Sequence, residues 1–211
     1  MLSVICPIYN EEEYINQCIE SILMQDYPKN DLEILFVDGM SKDKTRDIVK
    51  EYSEKYPFIH LLDNPKKIVP CAMNIGIKAS RGDIIIRLDA HANYEKNYFS
   101  VLSHRLIELG AENVGVVCKT DVLNKTPKTF AIREVLSNKF GVGNSIFRTG
   151  VDKVMEVDTV PFGCWRRDVF DKYGLYDERL IRNQDFELNY RIRKGSGRIF
   201  IVPDSNCTYY A

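Results

Sequence analysis

Long hydrophobic runs and an excess of one charge are both missing from this 211-residue sequence. No apolar run approaches the roughly 18 residues that a membrane-spanning helix needs, and the start MLSVICPIYN lacks the basic region of a signal peptide. The 29 basic and 30 acidic residues give a formal net charge of -1, which provides no electrostatic footprint for nucleic acid. We therefore expect a soluble, cytoplasmic chain that binds no nucleic acid.

Motifs of paired cysteines are absent as well. The six cysteines are scattered between Cys6 and Cys207, with no CxxC pair and no spacing typical of a zinc site. We expect buried free thiols in a reducing compartment.

Several motifs of nucleotide and hydrolytic enzymes are also lacking. There is no GxxxxGK[ST] loop, no G-x-G-x-x-G after the first apolar run, no GxSxG and no HExxH. A glycine-rich loop therefore does not hold phosphate in this protein. If phosphate is bound, a metal ion has to neutralise its charge.

Alternating strand-like and helix-like segments fill the first 119 residues. We predict strands over 2–8, 32–38, 58–62 and the apolar part of GDIIIRLDAHANY, and helices over 12–25, 43–56 and 69–79. Asn10 is a candidate N-cap of the first helix. This order predicts an α/β fold in which a mostly parallel sheet is flanked by helices.

The remaining residues are less regular. We predict helices over 96–109, 130–138, 168–173 and 184–194, strands over 113–119, 157–165 and 198–202, and a mobile loop over 141–152. No shift in composition marks a second domain, so residues 1–211 are expected to form a single one.

Polar side chains follow the predicted strands at the points where they end. The first strand is followed by Tyr9 and Glu11, the second ends in Asp38, and the fourth leads to Asp89 and His91. Ligands of parallel sheets bind at the carboxyl ends of the strands, so these residues should converge on one crevice.

Asp89 and His91 are candidate metal ligands. A carboxylate and an imidazole suit Mn²⁺ better than Mg²⁺, and a bound diphosphate would have to supply further oxygens. The alternative is that Asp89 caps a turn and His91 is a surface residue. Asp38 likewise either binds a base or ribose, or forms a turn before Gly39.

Asp185 and Trp165 also have two readings each. Asp185 is either the N-cap of the last helix or a general base at the mouth of the crevice. Trp165 is either a platform for a sugar ring or a core aromatic. Arg166 and Arg167 either approach a phosphate or begin a solvated helix.

Five motifs in order resemble glycosyltransferase family 2 over nearly the whole chain. They lie at Pro7–Glu11, Phe36–Thr45, Asn74–Gly76, Gly82–His91 and Gln184–Arg191. The resemblance implies a GT-A fold, with a Rossmann-like nucleotide-sugar-binding half at 1–119 and an acceptor-binding half at 120–211. The motif RLDAHANY resembles that of a branch of the family that acts in bacterial exopolysaccharide assembly.

The resemblance also implies roles for donor-site residues. Asp89-Ala90-His91 stands where the family has D-x-D, which implies Mn²⁺ or Mg²⁺ on the diphosphate of a UDP-sugar, with His91 replacing the second carboxylate. Asp38 matches the carboxylate that contacts uracil. The residues that match the loop lining the nucleoside are Pro7, Tyr9 and Glu11.

The acceptor side follows from the last motif. Asp185 matches the catalytic base of the family's E-D pair, with Gln184 in place of Glu. Arg191 matches a basic residue that follows the base on its helix, and we count it with Trp165 among the donor-binding residues.

These matches imply an inverting transfer of a sugar to a hydroxyl of a saccharide or lipid-linked saccharide. UDP-glucose is the donor expected from the family branch. A sugar-phosphate nucleotidyltransferase and an inactive nucleotide-sugar-binding module are the competing readings. Relatives often continue further, so we expect this chain to be truncated, with any membrane contact in a segment beyond it.

Overall fold

In a computed structural model, four parallel strands joined by helices form the first part of the protein. The structure describes residues 1–122, 124, 126–138, 141 and 145–210. In chain order the elements are β1 (Leu2–Ile8), α1 (Ile15–Leu23), β2 (Leu32–Asp38), α2 (Thr45–Lys55), β3 (Ile59–Asp63), α3 (Val69–Ala79) and β4 (Ile84–Arg87). These strands lie in the order β3-β2-β1-β4 and every neighbouring pair is parallel. Their carboxyl ends therefore meet at one edge.

The rest of the chain extends this sheet. Its elements are β5 (Ala92–Tyr94), α4 (Tyr98–Glu108), β6 (Asn113–Asp121), α5 (Pro127–Ser137), α6 (Ile146–Thr149), β7 (Met155–Glu156), β8 (Cys164–Arg166), α7 (Asp168–Tyr173), α8 (Gln184–Lys194) and β9 (Ile199–Tyr210). The full order is β3-β2-β1-β4-β8-β6-β9-β5, with β7 paired to β9. Because β8 runs antiparallel to both β4 and β6, the sheet is mixed beyond β4.

Alternation along β1 explains why helices cover both faces of the sheet. Leu2, Val4 and Cys6 are buried on the face covered by α1, α2 and α4, whereas Ile5 is buried on the face covered by α3, α7 and α8. A strand with two buried faces needs a nearly continuous apolar run, as LSVICPI is.

Several predicted features differ from the structure, and the last predicted strand, 198–202, extends as β9 to Tyr210. Only the end of the predicted strand 157–165 is a strand, because Phe162 and Gly163 have φ of 60° and 100° and break the extended backbone. Part of the predicted loop 141–152 is helix α6, and residues 142–144 lie outside the described residues. Tyr14, rather than Asn10, is the N-cap of α1.

All six cysteines are buried and free, as predicted. Within the described part of the chain, no helix combines the length and the apolar character needed to cross a bilayer.

Candidate active site

A cavity of about 130 Å³ opens at the carboxyl ends of the parallel strands. The predicted residues in its wall are Pro7, Tyr9, Glu11, Asp89 and His91. Four of these, Tyr9, Glu11, Asp89 and His91, follow β1 and β4 as the rule for parallel strands predicts. Pro7 lies within β1 and was expected from the family resemblance.

Three further polar residues in the cavity wall were missed from the sequence. Asn64 and Lys67 follow β3, and Arg87 ends β4. The rule that polar residues follow strand ends, applied to β3, would have predicted the segment 64–67 (NPKK), which contains Asn64 and Lys67. The Lys67 ammonium lies 5.9 Å from the centroid of the Tyr9 ring. The Asn64 side-chain oxygen is buried and has no hydrogen-bond partner among the described residues, so it is available to a ligand donor.

Backbone strain gathers around this cavity. Among the residues that the structure describes, six non-glycine residues have a left-handed φ, and three of them, Asn10, Met40 and Lys67, each follow a strand of the parallel half. A fourth, Asn183, directly precedes α8. Residues other than glycine rarely adopt this conformation, and such residues cluster at functional sites.

Asp89 and Asp185 are joined by one arginine. Arg87 Nη1 donates to Asp185 Oδ1, and Arg87 Nη2 donates to Asp89 Oδ1 at 3.1 Å. The Arg87 side chain is only 6% exposed, whereas those of Asp89 and Asp185 are 19% and 27% exposed. Both carboxylates therefore reach the surface of the site while their shared cation lies beneath them.

Asp185 is not the N-cap of its helix. Asn183 occupies that position, and Asp185 lies in the first turn of α8. Burial raises the pKa of Asp185 above its ordinary value, although Arg87 opposes this shift and Asp89 adds to it. A carboxylate with a raised pKa is a stronger base than an ordinary aspartate.

His91 lies against Glu11, with 3.3 Å between His91 Nδ1 and Glu11 Oε1. The rings of Tyr14 and Tyr209 meet it edge-on at centroid distances of 6.1 and 4.8 Å. Burial alone would lower the pKa of His91, but the Glu11 hydrogen bond and the charges of Asp89 and Glu11 raise it overall. Coordination of a metal by this imidazole therefore competes with its protonation.

The donor set fits a divalent cation only in part. Asp89 and His91 both reach the cavity, but no cluster of three or more His, Cys, Asp or Glu side chains suited to a metal occurs in the described part of the chain. Magnesium-type ions are commonly held by one or two protein groups together with substrate phosphates. The pair therefore fits an ion whose shell is completed by a bound diphosphate.

Asp38 lies below the cavity rather than in its wall. Its carboxylate is fully buried and accepts hydrogen bonds from the Ser41 backbone and hydroxyl and from Arg46, the last at 2.6 Å. These bonds hold the loop that follows β2. Contact with a nucleobase would require this buried carboxylate to become accessible, and that contact stays a prediction.

Trp165 does not offer a platform for a sugar. The indole is 1% exposed and packs against Phe170 and Tyr176 at centroid distances of 5.7 and 6.4 Å. Gly163 makes room for this packing, because a Cβ there would overlap the Trp165 ring. The core-aromatic reading is therefore the correct one.

The predicted role of Arg191 in donor binding is also wrong. All five of its N–H groups are used, in bonds to Glu187 and to the carbonyl oxygens of Tyr173, Gly174 and Leu175. Arg191 therefore fastens α8 to the end of α7.

Arg166 and Arg167 likewise serve the fold. Arg166 donates to the Ala111 carbonyl oxygen, and Arg167 donates to those of Ile77 and Gly82. Gly82 precedes β4, so the Arg167 contact lies at the amino end of that strand, opposite the cavity.

A second cavity, of about 700 Å³, lies beside the start of α8. Its wall includes Phe147, Phe186, Asp158 and Thr159. Phe186 directly follows Asp185 and is 57% exposed. Thr159 accepts a hydrogen bond from Asn189, one turn after Asp185 on the same helix, so this cavity adjoins the helix face that carries Asp185.

Solved structures identify the fold. The chain superimposes on UDP-GlcNAc-bound TarS of S. aureus, residues 1–349, with a TM-score of 0.75 and 20% identity, over 100% of this chain and 59% of that one. It also superimposes on the Mn²⁺ and GDP-Man complex of the mannosyltransferase PcManGT from Pyrobaculum calidifontis. The TM-score is 0.73 and the identity 20%, over 98% of this chain and 56% of that one. The protein has the GT-A fold.

The sequence then places it in a family. The profile described as Glycosyl transferase family 2 matches residues 3–174, and the chain belongs to that family. It is 31% identical, over 99% of its length, to a dolichyl N-acetyl-alpha-D-glucosaminyl phosphate 3-beta-D-2,3-diacetamido-2,3-dideoxy-beta-D-glucuronosyltransferase of Methanococcus voltae. It is 30% identical, over 98%, to the succinoglycan biosynthesis protein ExoA of Rhizobium meliloti. It spans 66% and 62% of those two relatives.

Proposed function

We propose that the protein transfers a sugar, with inversion, from a UDP-sugar to a hydroxyl group of a saccharide acceptor, with Asp185 as the general base. The carrying observation is the partly exposed Asp185 carboxylate, which one buried arginine links to Asp89 in the wall of the cavity. A base on one side and a donor cavity on the other is the arrangement that a single displacement needs. Of the two enzyme classes that the sequence left open, membership of the family favours glycosyl transfer.

The donor side of the proposal rests on the first cavity. Tyr9 offers a ring face, Lys67 a positive charge and Asn64 an unused hydrogen-bond acceptor. These groups suit a nucleoside with a ribose and a negatively charged diphosphate. UDP is the nucleotide we propose, since TarS has been solved with UDP and UDP-GlcNAc, and glucose is the sugar we propose from the resemblance to the exopolysaccharide branch.

Asp89 and His91 would hold the divalent cation, Mn²⁺ or Mg²⁺. The structural neighbour PcManGT, which was solved with Mn²⁺, supports the use of a divalent cation. When bound, the ion supplies positive charge for the diphosphate of the donor. The protein itself holds the nucleoside at Tyr9, keeps the Asp185 carboxylate ready to accept the acceptor proton, and orients that carboxylate through Arg87.

The second cavity is the proposed acceptor site. Phe186 offers an exposed aromatic face next to the base, and Asp158 and Thr159 offer hydrogen-bonding groups for sugar hydroxyls. No Lys or Arg lies in the described wall of this cavity, which favours a neutral saccharide at this position over a phosphate group. A lipid-linked acceptor would place its phosphate elsewhere.

Asp185→Asn tests the proposal. The amide cannot accept the acceptor proton, so we expect UDP release from UDP-glucose to fall by about 10²–10⁴-fold, the usual contribution of a general base. The dissociation constant of UDP, measured by calorimetry with Mn²⁺, should stay within about threefold.

Asp171→Asn is the matched control, since Asp171 is an exposed carboxylate on α7. It should turn over the donor like the unmodified protein. An Asp185→Asn protein with normal turnover would place the base at another residue.

A further inference from the structure

Arg87 is a charged residue in an unusual place. It ends β4 next to the core, and its backbone N–H donates to the Gly163 carbonyl oxygen at 3.1 Å. Arginine is almost never buried to this degree unless its charge is paired. Here it is paired twice, with Asp185 of α8 and with Asp89 just past β4.

The geometry of the pairing needs a guanidinium group. One planar fork reaches two carboxylates that belong to different parts of the chain, one terminal nitrogen to each. A lysine carries a single point charge and cannot hold two groups in such a fixed relation. Burial alone would lower the pKa of Arg87, but Asp185 and Asp89 together raise it well above its usual value, so this bridge is always charged.

Stability of the fold is a weak explanation for this arrangement. Replacing buried ion pairs by apolar residues is often neutral or stabilising, because desolvation offsets most of the attraction. In addition, the Arg87 Nε atom is buried without a hydrogen-bond partner among the described residues. A residue kept only for the core would be expected to satisfy all its donors.

The two carboxylates have different tasks in the proposed function. Asp89 lies in the wall of the donor cavity, and Asp185 directly precedes Phe186, which lies in the wall of the acceptor cavity. Without a cation between them they would repel each other, since like charges at short distance inside a protein interact strongly. The bridge therefore sets how far apart the acceptor base and the donor lie.

We propose that Arg87 is a positioning residue that holds the Asp185 base at a fixed place relative to the donor by bridging Asp185 to Asp89. This inference rests on the proposed function. It assigns Arg87 an effect on turnover that is transmitted through Asp185. Although Arg87 borders the donor cavity, its side chain is only 6% exposed and its two terminal nitrogens are bonded to Asp185 and Asp89.

The test compares Arg87→Gln and Arg87→Lys with the unmodified protein. We expect Arg87→Gln to lower UDP release from UDP-glucose by about 10²-fold, the scale of a 1 Å misplacement of a catalytic group. The dissociation constant of UDP with Mn²⁺ should rise by less than about threefold, because Arg87 borders the donor cavity but its terminal nitrogens are bonded to the two carboxylates. Arg87→Lys keeps the positive charge but lacks the planar group that reaches both carboxylates. We therefore expect its rate of UDP release to fall by about tenfold or more.

A double variant separates positioning from a general structural effect. If Arg87 acts through Asp185, then adding Arg87→Gln to Asp185→Asn should lower the residual turnover by less than about threefold. If the loss of turnover in the double variant equals the product of the losses in the two single variants, the proposal is overturned. A fall in UDP affinity that parallels the fall in turnover would also overturn it, since Arg87 would then be a donor ligand.

Arg81→Gln is the matched control. Arg81 also pairs with a buried carboxylate, Glu33, but it precedes β4, at the end of the strand opposite the cavity. It should leave turnover and UDP affinity unchanged. If Arg87→Gln does not fold, Arg87→Lys decides alone, and normal turnover in that variant overturns the proposal. An unmodified protein that turns over no UDP-sugar would instead contradict the proposed function.

Discussion

At the scale of single residues, the Asp185 carboxyl group is subject to opposing influences. Burial raises its pKa, Arg87 lowers it, and the net shift is upward. A general base works only when it is deprotonated, so activity should rise with pH through the raised pKa of this group. The acidic limb of a plot of kcat/KM against pH should therefore lie above about 3.9, the ordinary value of aspartate.

This expectation is checked by following UDP release from pH 3.5 upward, with circular dichroism at each pH to confirm that the protein stays folded. An acidic limb at or below the ordinary aspartate pKa would show that the base is better solvated than this structure implies, or that another group acts as the base.

Two aromatic residues should behave in opposite ways. Trp165 is buried in the core, whereas Phe186 is mostly exposed. Trp165→Phe should lower the free energy of unfolding by about 1–3 kcal/mol, since the smaller ring leaves a gap. Phe186→Ala should change it by less than about 0.5 kcal/mol.

Urea denaturation measures both effects. Because Trp165 makes no part of the cavity wall, UDP affinity of the folded Trp165→Phe protein should stay within about twofold. A Phe186→Ala protein as destabilised as Trp165→Phe would show that the second cavity is a packed region instead of a binding surface.

At the scale of elements, the contact between α3 and β1 depends on Gly76. A Cβ at this position would lie 2.5 Å from the Cγ2 atom of Ile5, so the helix approaches the sheet closer than any larger residue allows. Gly76→Ala should lower the free energy of unfolding by about 1–2 kcal/mol, because overpacking outweighs the better helix propensity of alanine.

Lys78→Ala, on the exposed side of the same helix, is the control and should stay within about 0.5 kcal/mol. A Gly76→Ala protein that is more stable than the unmodified one would show that α3 can move away from β1 without loss.

The elements that sequence periodicity predicted well are those with the strongest local signal. β1, β2, α3, α7 and α8 have the predicted bounds, because their apolar patterns end in turn or capping residues. The predicted strand 157–165 was too long, since Val160 and Phe162 are buried in the core outside any strand and the backbone at 162 and 163 is left-handed. Hydrophobicity reports burial, and burial does not require a strand.

At the scale of the whole molecule, a ligand that binds only the folded state should stabilise all of it. UDP with Mn²⁺ at one hundred times its dissociation constant adds about 2.7 kcal/mol. For a chain of this size that corresponds to a rise in Tm of roughly 5–10 °C. We expect a smaller rise with GDP or dTDP at the same concentration.

In the Asp89→Ala protein, we expect the rise in Tm with UDP to be the same with and without Mn²⁺. Equal shifts in the variant and the unmodified protein would show that the metal is not held at Asp89. A larger shift with GDP than with UDP would contradict the proposed nucleotide.

The sequence by itself determined the α/β fold and four polar residues in the wall of the first cavity, because apolar strands followed by polar residues place those residues at one edge of a parallel sheet. Only the tertiary structure decided the bridge from Arg87 to Asp185, the burial of Trp165 and the structural use of Arg191. Local patterns fix which way a strand or helix runs. What a long side chain touches depends on residues elsewhere in the chain, 98 positions away for Arg87 and Asp185 and 16 to 18 positions away for the carbonyl partners of Arg191. The chain brings these residues together only when it folds.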